Sequence, residues 1–145
     1  MEDYQTDFHA VKAQINRGFG DVPFVKNNHI SVSLFSQNEV WLRMEIQSKH
    51  HNHHGSLHGG YLLLLADSAA GMAALADGRN YVTQSQNFCF IRAVLGKVVT
   101  AKAKVLSRGG TVTVVHVEIR DEDDNLMGDG NFNMYALKKP VKREE

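Results

Sequence analysis

The chain has 145 residues, 43% of them apolar and 22% charged, with 16 Lys and Arg balancing 16 Asp and Glu. This length suits one domain and is too short for two cores, and the composition excludes a disordered or collagen-like chain. Zero net charge offers no basic surface for nucleic acid or an anionic membrane and favours self-association, and the single Cys89 excludes an intramolecular disulfide framework.

The start, Met1-Glu2-Asp3-Tyr4-Gln5, is acidic and polar, unlike a signal peptide. The longest apolar stretch, Tyr61 to Ala76, is shorter than a membrane span and is interrupted by Asp67. The expectation is a cytoplasmic protein with no nucleic-acid or membrane partner.

Residues 3 to about 17 form a predicted helix, with Phe8, Val11 and Ile15 at helical spacing and Gly18 and Gly20 ending it. Pro23 is expected to begin an extended connection. Ile30, Val32 and Leu34 alternate with Ser31 and Ser33, the period of a half-buried strand. After a turn at Ser36-Gln37-Asn38-Glu39, Val40, Leu42, Met44 and Ile46 alternate with Trp41, Arg43, Glu45 and Gln47, completing a hairpin.

A histidine-rich loop, Lys49 to His58, precedes a change of period. Leu57, Tyr61, Leu64, Leu65, Ser68, Met72 and Leu75 recur at helical spacing, and five alanines keep the remainder slim. The prediction is a buried helix of about 20 residues, roughly 30 Å long, ending at Asp77-Gly78. Strands follow at Val82–Phe90, Val99–Val105, Val112–Arg120 and Leu126–Leu137. Arg108-Gly109-Gly110 and Asp121–Asn125 are turns, and Gly128 and Gly130 suggest a bulge or a close backbone approach. The four strands read as a meander, and the tail from Lys138 is a charged, frayed end. A hairpin, one long helix and a meander give an α+β fold. An almost uncharged helix needs cover on most sides, so a curved antiparallel sheet of about five to six strands should wrap it, which is the hotdog architecture.

Asp67 is the only charged residue between His58 and Asp77. An unpaired carboxylate in mid-helix is expensive to bury, so either it reaches solvent or a core partner, or it has a function. Upstream, Gly59 and Gly60 begin the helix, where free N–H groups suit a carbonyl oxygen gaining charge in a tetrahedral intermediate. Gly59 and Asp67 lie eight positions apart, roughly 12 Å along a helix. One chain cannot bring both to one carbonyl and its attacking water. If both are catalytic, the second comes from another subunit, and a symmetric dimer with antiparallel helices would create two composite sites.

The order Asn52-x2-Gly55-x-Leu57-His58-Gly59-Gly60, then Leu65-Ala66-Asp67, carries a resemblance. It continues through Val82-Thr83, Asn87-Phe88, Phe90-Ile91-Arg92, Gly96 before a strand, and the Arg108-Gly109 hairpin. Over roughly residues 30 to 137 the chain resembles the hotdog thioesterases of the phenylacetate-pathway (PaaI-like) type, the acyl-CoA thioesterase branch around the 4-hydroxybenzoyl-CoA thioesterases. The resemblance implies a single domain hydrolysing an acyl-CoA, with CoA as part of the substrate and no other cofactor. Asp67 would activate or orient water, helped by Thr83. Gly59 would donate its amide to the oxyanion, assisted by Asn52, and His58 would shape the loop or contact the thioester region. Asn52 and Gly59 would belong to one subunit, Asp67 and Thr83 to its partner, in a homodimer or a dimer of dimers. Gly60 would join the substrate-binding surface, and Arg92 and Arg108 are the candidate cations for the CoA phosphates. Tyr61, Met72 and Phe88 are candidates to tune an acyl tunnel whose chemistry the sequence leaves open.

Three rivals stand beside this reading. His50, His51, His53 and His54 could bind a metal and serve a metal-dependent hydrolase, although the aspartate of a His-x-His-x-Asp-His motif is missing. A hotdog dehydratase would need a His-Phe-Pro-type segment, which is absent. A non-catalytic acyl-CoA sensor would not need Asn52, Gly59, Asp67 and Thr83 together. Of the remaining residues, Cys89 reads as a packed thiol and Trp41 as an outward residue that marks either plain surface or a subunit contact.

Overall fold

The computed structural model describes the backbone of residues 2–138 and the side chains of residues 8–138. Helix α1 (Glu2–Gly18) leads through a 3-10 turn at Phe19–Asp21 into a short α2 (Pro23–Asn27). The expected extended connection at Pro23 is therefore corrected to a helix. Val22 is its N-cap and Pro23 takes the first turn, where its missing N–H costs no helical bond and its fixed φ is already helical. The charged tail beyond Lys138 lies outside the described residues.

Strands β1 (Ile30–Phe35) and β2 (Glu39–Glu45) form the predicted hairpin. The long helix α3 (Gly59–Leu75) follows, and then β3 (Tyr81–Phe90), β4 (Val98–Arg108), β5 (Val112–Asp121) and β6 (Leu126–Ala136). All pairings are antiparallel, in the order β1-β2-β4-β5-β6-β3. Among the described residues, six antiparallel strands with the long α3 packed on one face are the expected α+β hotdog architecture. The meander is shorter than predicted, because only β4, β5 and β6 are consecutive neighbours. β4 pairs with β2 at Val40↔Ala103 and Leu42↔Ala101, while β3 crosses to the far edge and pairs with β6. Alternation identifies strands but carries no information on which strand lies beside which.

One face of the sheet is the core. Val40, Leu42, Met44, Val99, Ala101, Ala103, Val115, Val117, Ile119 and Phe132 are all almost wholly buried. α3, 17 residues and roughly 26 Å long, lies chiefly over β4 and β5. It buries Leu62, Leu65, Ala66, Ala69, Ala70 and Ala73. Alanines on both partners, with Ala101 and Ala103 on β4, allow the helix to approach closely. The sequence-predicted stripe is thus rotated. Leu63, Leu64, Asp67, Ser68 and Gly71 lie on the half-buried side that the sheet leaves uncovered.

Gly130 and Gly128 mark close contact between β6 and β3. A Cβ at Gly130 would come 2.1 Å from the Asn87 carbonyl oxygen, and one at Gly128 2.8 Å from the Phe88 ring. The β5–β6 register also slips beside Gly128, so the bulge and the close approach both occur. Trp41 lies on the outer face of the sheet and is half-buried. Its Nε1 donates to Glu39 Oε1 at 2.9 Å, and Lys102 Nζ lies 4.3 Å from its ring centroid. Cys89 is corrected from packed to exposed in the single chain, because β3 is an edge strand.

Candidate active site

The segment before α3 forms a closed loop. His58 N–H donates to the His50 carbonyl at 2.9 Å, and Leu57 N–H to the Val94 carbonyl at 2.9 Å. Inside it, Asn52 Oδ1 accepts from His54 N–H (2.9 Å), Ser56 N–H (3.2 Å) and Ser56 Oγ (3.2 Å). These donors fix the orientation of the Asn52 amide, whose Nδ2 is its remaining donor group. His58 is the N-cap of α3, its Nδ1 accepting from Gly60 N–H at 3.2 Å. Gly60's amide is therefore occupied, while Gly59 opens the helix at the end where N–H groups have no helical acceptor. A Cβ at Gly59 would lie 3.3 Å from Phe90 Cε1. Asn52, Ser56, Gly59, Phe90, Ile91 and Arg92 share an open hollow of about 300 Å³.

Two turns further along α3, Asp67 meets β3. Thr83 Oγ1 donates to Asp67 Oδ1 at 2.6 Å. The register of β3 against β6 slips between Thr83↔Met134 and Ser85↔Asn133, which makes Gln84 a bulge residue. Bulges re-aim side chains, and Thr83, paired with the buried Met134, reaches the helix. Asp67 opens onto a second hollow of about 340 Å³ with Gly60, Leu63, Leu64, Gln86 and Phe132. The structure thus brings Asn52, Gly59 and Arg92 together, brings Asp67 and Thr83 together, and keeps the two sets in separate hollows. Of the acyl-tunnel candidates, Tyr61 and Phe88 are half-buried and Met72 is buried.

Arg108 is elsewhere, and its assignment to CoA phosphates is corrected. It caps the far end of α3, donating to the carbonyls of Ala74 (2.8 Å), Ala73 (2.8 Å) and Gln37 (3.0 Å). Its Nη1 is also 3.1 Å from Asp77 Oδ2. In the sequence Asp77 marks only the end of the helix, yet its carboxylate is the centre of this buried network. Arg79 donates to it from its backbone N–H and from Nε, both at 2.9 Å, and Tyr81 Oη donates at 2.6 Å. Burial pushes the Asp77 pKa up, but these hydrogen bonds and Arg108 outweigh it and hold the carboxyl below its ordinary value. Arg79 reaches on to the carbonyls of Gly110 (2.9 Å) and Gly109 (3.0 Å), so the network ties the β4–β5 turn to the helix. An aspartate two residues before an arginine on a helix end was the only sequence signal for it.

The histidines of the loop divide by burial, and the rings of His53 and His54 lie 3.9 Å apart. His50 is fully buried, whereas His51, His53 and His54 are exposed. Among the described residues no group of three or more His, Cys, Asp or Glu converges as metal ligands. No described helix is long and apolar enough to cross a membrane.

Residues 54–127, half of the chain, match the family model described as the thioesterase superfamily. A candidate esterase of Saccharolobus solfataricus is 34% identical over 90 residues, covering 61% of this chain and 64% of its own length. The chain thus spans somewhat less than two thirds of that relative. Among solved structures, the Escherichia coli PaaI protein from the phenylacetic acid degradation operon superposes with a TM-score of 0.83. It is 22% identical, with 89% of this chain and 94% of that chain covered. The smu.793 protein of Streptococcus mutans, solved with acetyl-CoA bound, gives a TM-score of 0.71 at 23% identity, covering 74% of this chain and 88% of that one. The structural matches agree with the hotdog fold built above, and the family match includes Gly59, Asp67 and Thr83: this chain belongs to the thioesterase superfamily.

Proposed function

We propose that this protein is an acyl-CoA thioesterase whose active site is completed across a homodimer. The observation that carries the reading is the 2.6 Å hydrogen bond from Thr83 to Asp67 Oδ1, which leaves Oδ2 to accept from a water. The Thr83 hydroxyl, having donated its proton, keeps lone pairs for the same water. Asp67 takes a proton as the water oxygen attacks the thioester carbonyl. The oxyanion is stabilised by the Gly59 amide at the positive end of α3, with Asn52 Nδ2 as second donor. Collapse of the tetrahedral intermediate breaks the C–S bond, and the proton held by Asp67 passes to the departing thiolate or to solvent.

Two features support a second copy. Asp67 and Gly59 face different hollows. β3 is a ten-residue edge strand, with Val82 and Phe90 exposed. A long unpaired edge is a template for pairing with another strand. Edge-to-edge pairing of two β3 strands would bring the half-covered sides of two α3 helices together and join each Gly59 hollow to a partner Asp67. A dimer of dimers is compatible with the same arrangement. The acyl-CoA bound to smu.793 supports CoA as the carrier, with Arg92 as the cation on the rim. The mostly apolar Asp67 hollow favours an uncharged acyl group.

The test is thiol release from a panel of acyl-CoAs by the wild type and Asp67→Ala, both checked for fold and size. Turnover reduced by a factor of about 10² to 10⁴ in the variant supports the reading. Turnover equal in both proteins removes Asp67 from the mechanism. Binding without turnover on any thioester makes the protein an acyl-CoA sensor.

A further inference from the structure

Among the loop histidines, His50 lines neither hollow yet is the most tightly held. Its ring is fully buried. Nδ1 accepts from the Gln47 N–H at 2.9 Å, so Nδ1 carries no proton. Nε2, 3.0 Å from Asn28 Oδ1, then carries the proton and donates it. Asn28 is the C-cap of α2 and also donates from Nδ2 to the Phe24 carbonyl at 2.9 Å. The imidazole packs T-shaped against Tyr61 of α3, with centroids 4.8 Å apart and planes at 72°. The His50 carbonyl accepts the His58 N–H that closes the loop at the helix N-cap. One residue therefore joins α2, the loop root and α3 at the base of the segment that carries Asn52 and Gly59.

We propose that His50 is a positioning residue that holds the Asn52–Gly59 loop in place for the carbonyl-binding half of the site. This rests on the thioesterase reading for its catalytic consequence, though not for its structural one. Only the neutral Nε2-protonated ring makes both bonds, since a proton on Nδ1 removes the acceptor for Gln47. Burial first, and then the neighbouring Lys49, His29 and His51, favour that neutral form.

Two substitutions separate positioning from simple loss of packing. His50→Phe fills the space but leaves Gln47 N–H and Asn28 Oδ1 unpaired. His50→Asn restores an acceptor near the Nδ1 position and cannot titrate. Hydrogen exchange at the Leu57 and His58 amides should quicken about tenfold or more in His50→Phe beyond any change at the Val117 and Ile119 amides of β5, with His50→Asn intermediate. On a thioester that the wild type hydrolyses, His50→Phe should lose kcat about tenfold or more with KM changing less, because small displacements of catalytic groups are costly. His50→Asn should recover most of that kcat and hold it to lower pH than the wild type. Unchanged loop exchange in His50→Phe, or equal damage by both substitutions, overturns the inference. A wild type inert on every thioester would defeat the thioesterase reading alone, since the exchange measurement needs no turnover.

Discussion

Thr83 Oγ1 donates to Asp67 Oδ1 at 2.6 Å, joining a mid-helix carboxylate to a bulged edge strand. In the proposed mechanism this hydroxyl would hold the carboxylate in one rotamer and order the attacking water. Thr83→Val keeps the shape and deletes the bond. It should lower kcat about tenfold while Thr83→Ser retains most activity, as read by steady-state thiol release. Equal activity in the two variants would show that the hydroxyl is dispensable.

Gly59 faces Phe90 closely, with 3.3 Å from a would-be Cβ to the ring, so a side chain here requires the ring to give way slightly. Phe90 is 56% exposed and can yield, so Gly59→Ala should fold with little loss of thermal stability. Its ring would shift into the hollow shared with Asn52, and kcat/KM should fall. Trimming Phe90 to Leu in the same chain should restore part of the loss. A double variant no better than Gly59→Ala would rule out the ring as the obstacle.

A site divided between two chains predicts complementation. Homodimers of Asn52→Ala and of Asp67→Ala should each be impaired at both sites. In a mixed dimer one site carries both lesions and the other carries neither. Unfolding and refolding an equal mixture should restore about a quarter of wild-type activity, the share of intact sites under random pairing. Recovery no greater than the sum of the two parents would mean that each site lies within one chain.

Asp77 should govern stability rather than catalysis. Asp77→Ala leaves Arg79 and Arg108 around a buried vacancy and should cost about 3 to 5 kcal/mol, the usual loss on removing one partner of a buried ion pair. Denaturant titration measures this directly. A cost below about 1 kcal/mol would place the pair in the class of surface ion pairs.

Stability should decline in two steps as pH falls, because burial and its neighbours lower the His50 pKa and hydrogen bonds lower that of Asp77. His50 is neutral in both states above its ordinary 6.5. Below that the unfolded ring binds a proton first, so stability falls as pH drops through the folded pKa. Asp77 contributes fully above its ordinary 3.8, and that contribution is lost as pH falls through its lower folded value. Chemical denaturation across pH should show a first decline that His50→Asn removes and a second that it leaves. A wild type equally stable at pH 7.5 and 5 would contradict the account of His50.

What the sequence alone determines here is local and periodic. Alternation at Val40, Leu42 and Met44, and helical spacing around Leu65 and Ala69, follow from the geometry of a strand and a helix, so both elements are legible one at a time. Asp67 stands out for the same reason, as one charge in an apolar run, and the Gly59-Gly60 pair marks the helix start. What the tertiary structure decided are the relations between distant residues. No spacing predicts that β3 crosses to the far edge, that Thr83 lands on Asp67, or that Arg108 caps α3 instead of facing a phosphate. Nor does it distinguish His50, buried with both ring nitrogens bonded, from the exposed His51, His53 and His54 beside it. Burial and hydrogen-bond partners depend on which surfaces meet after folding, and adjacency in the chain fixes neither.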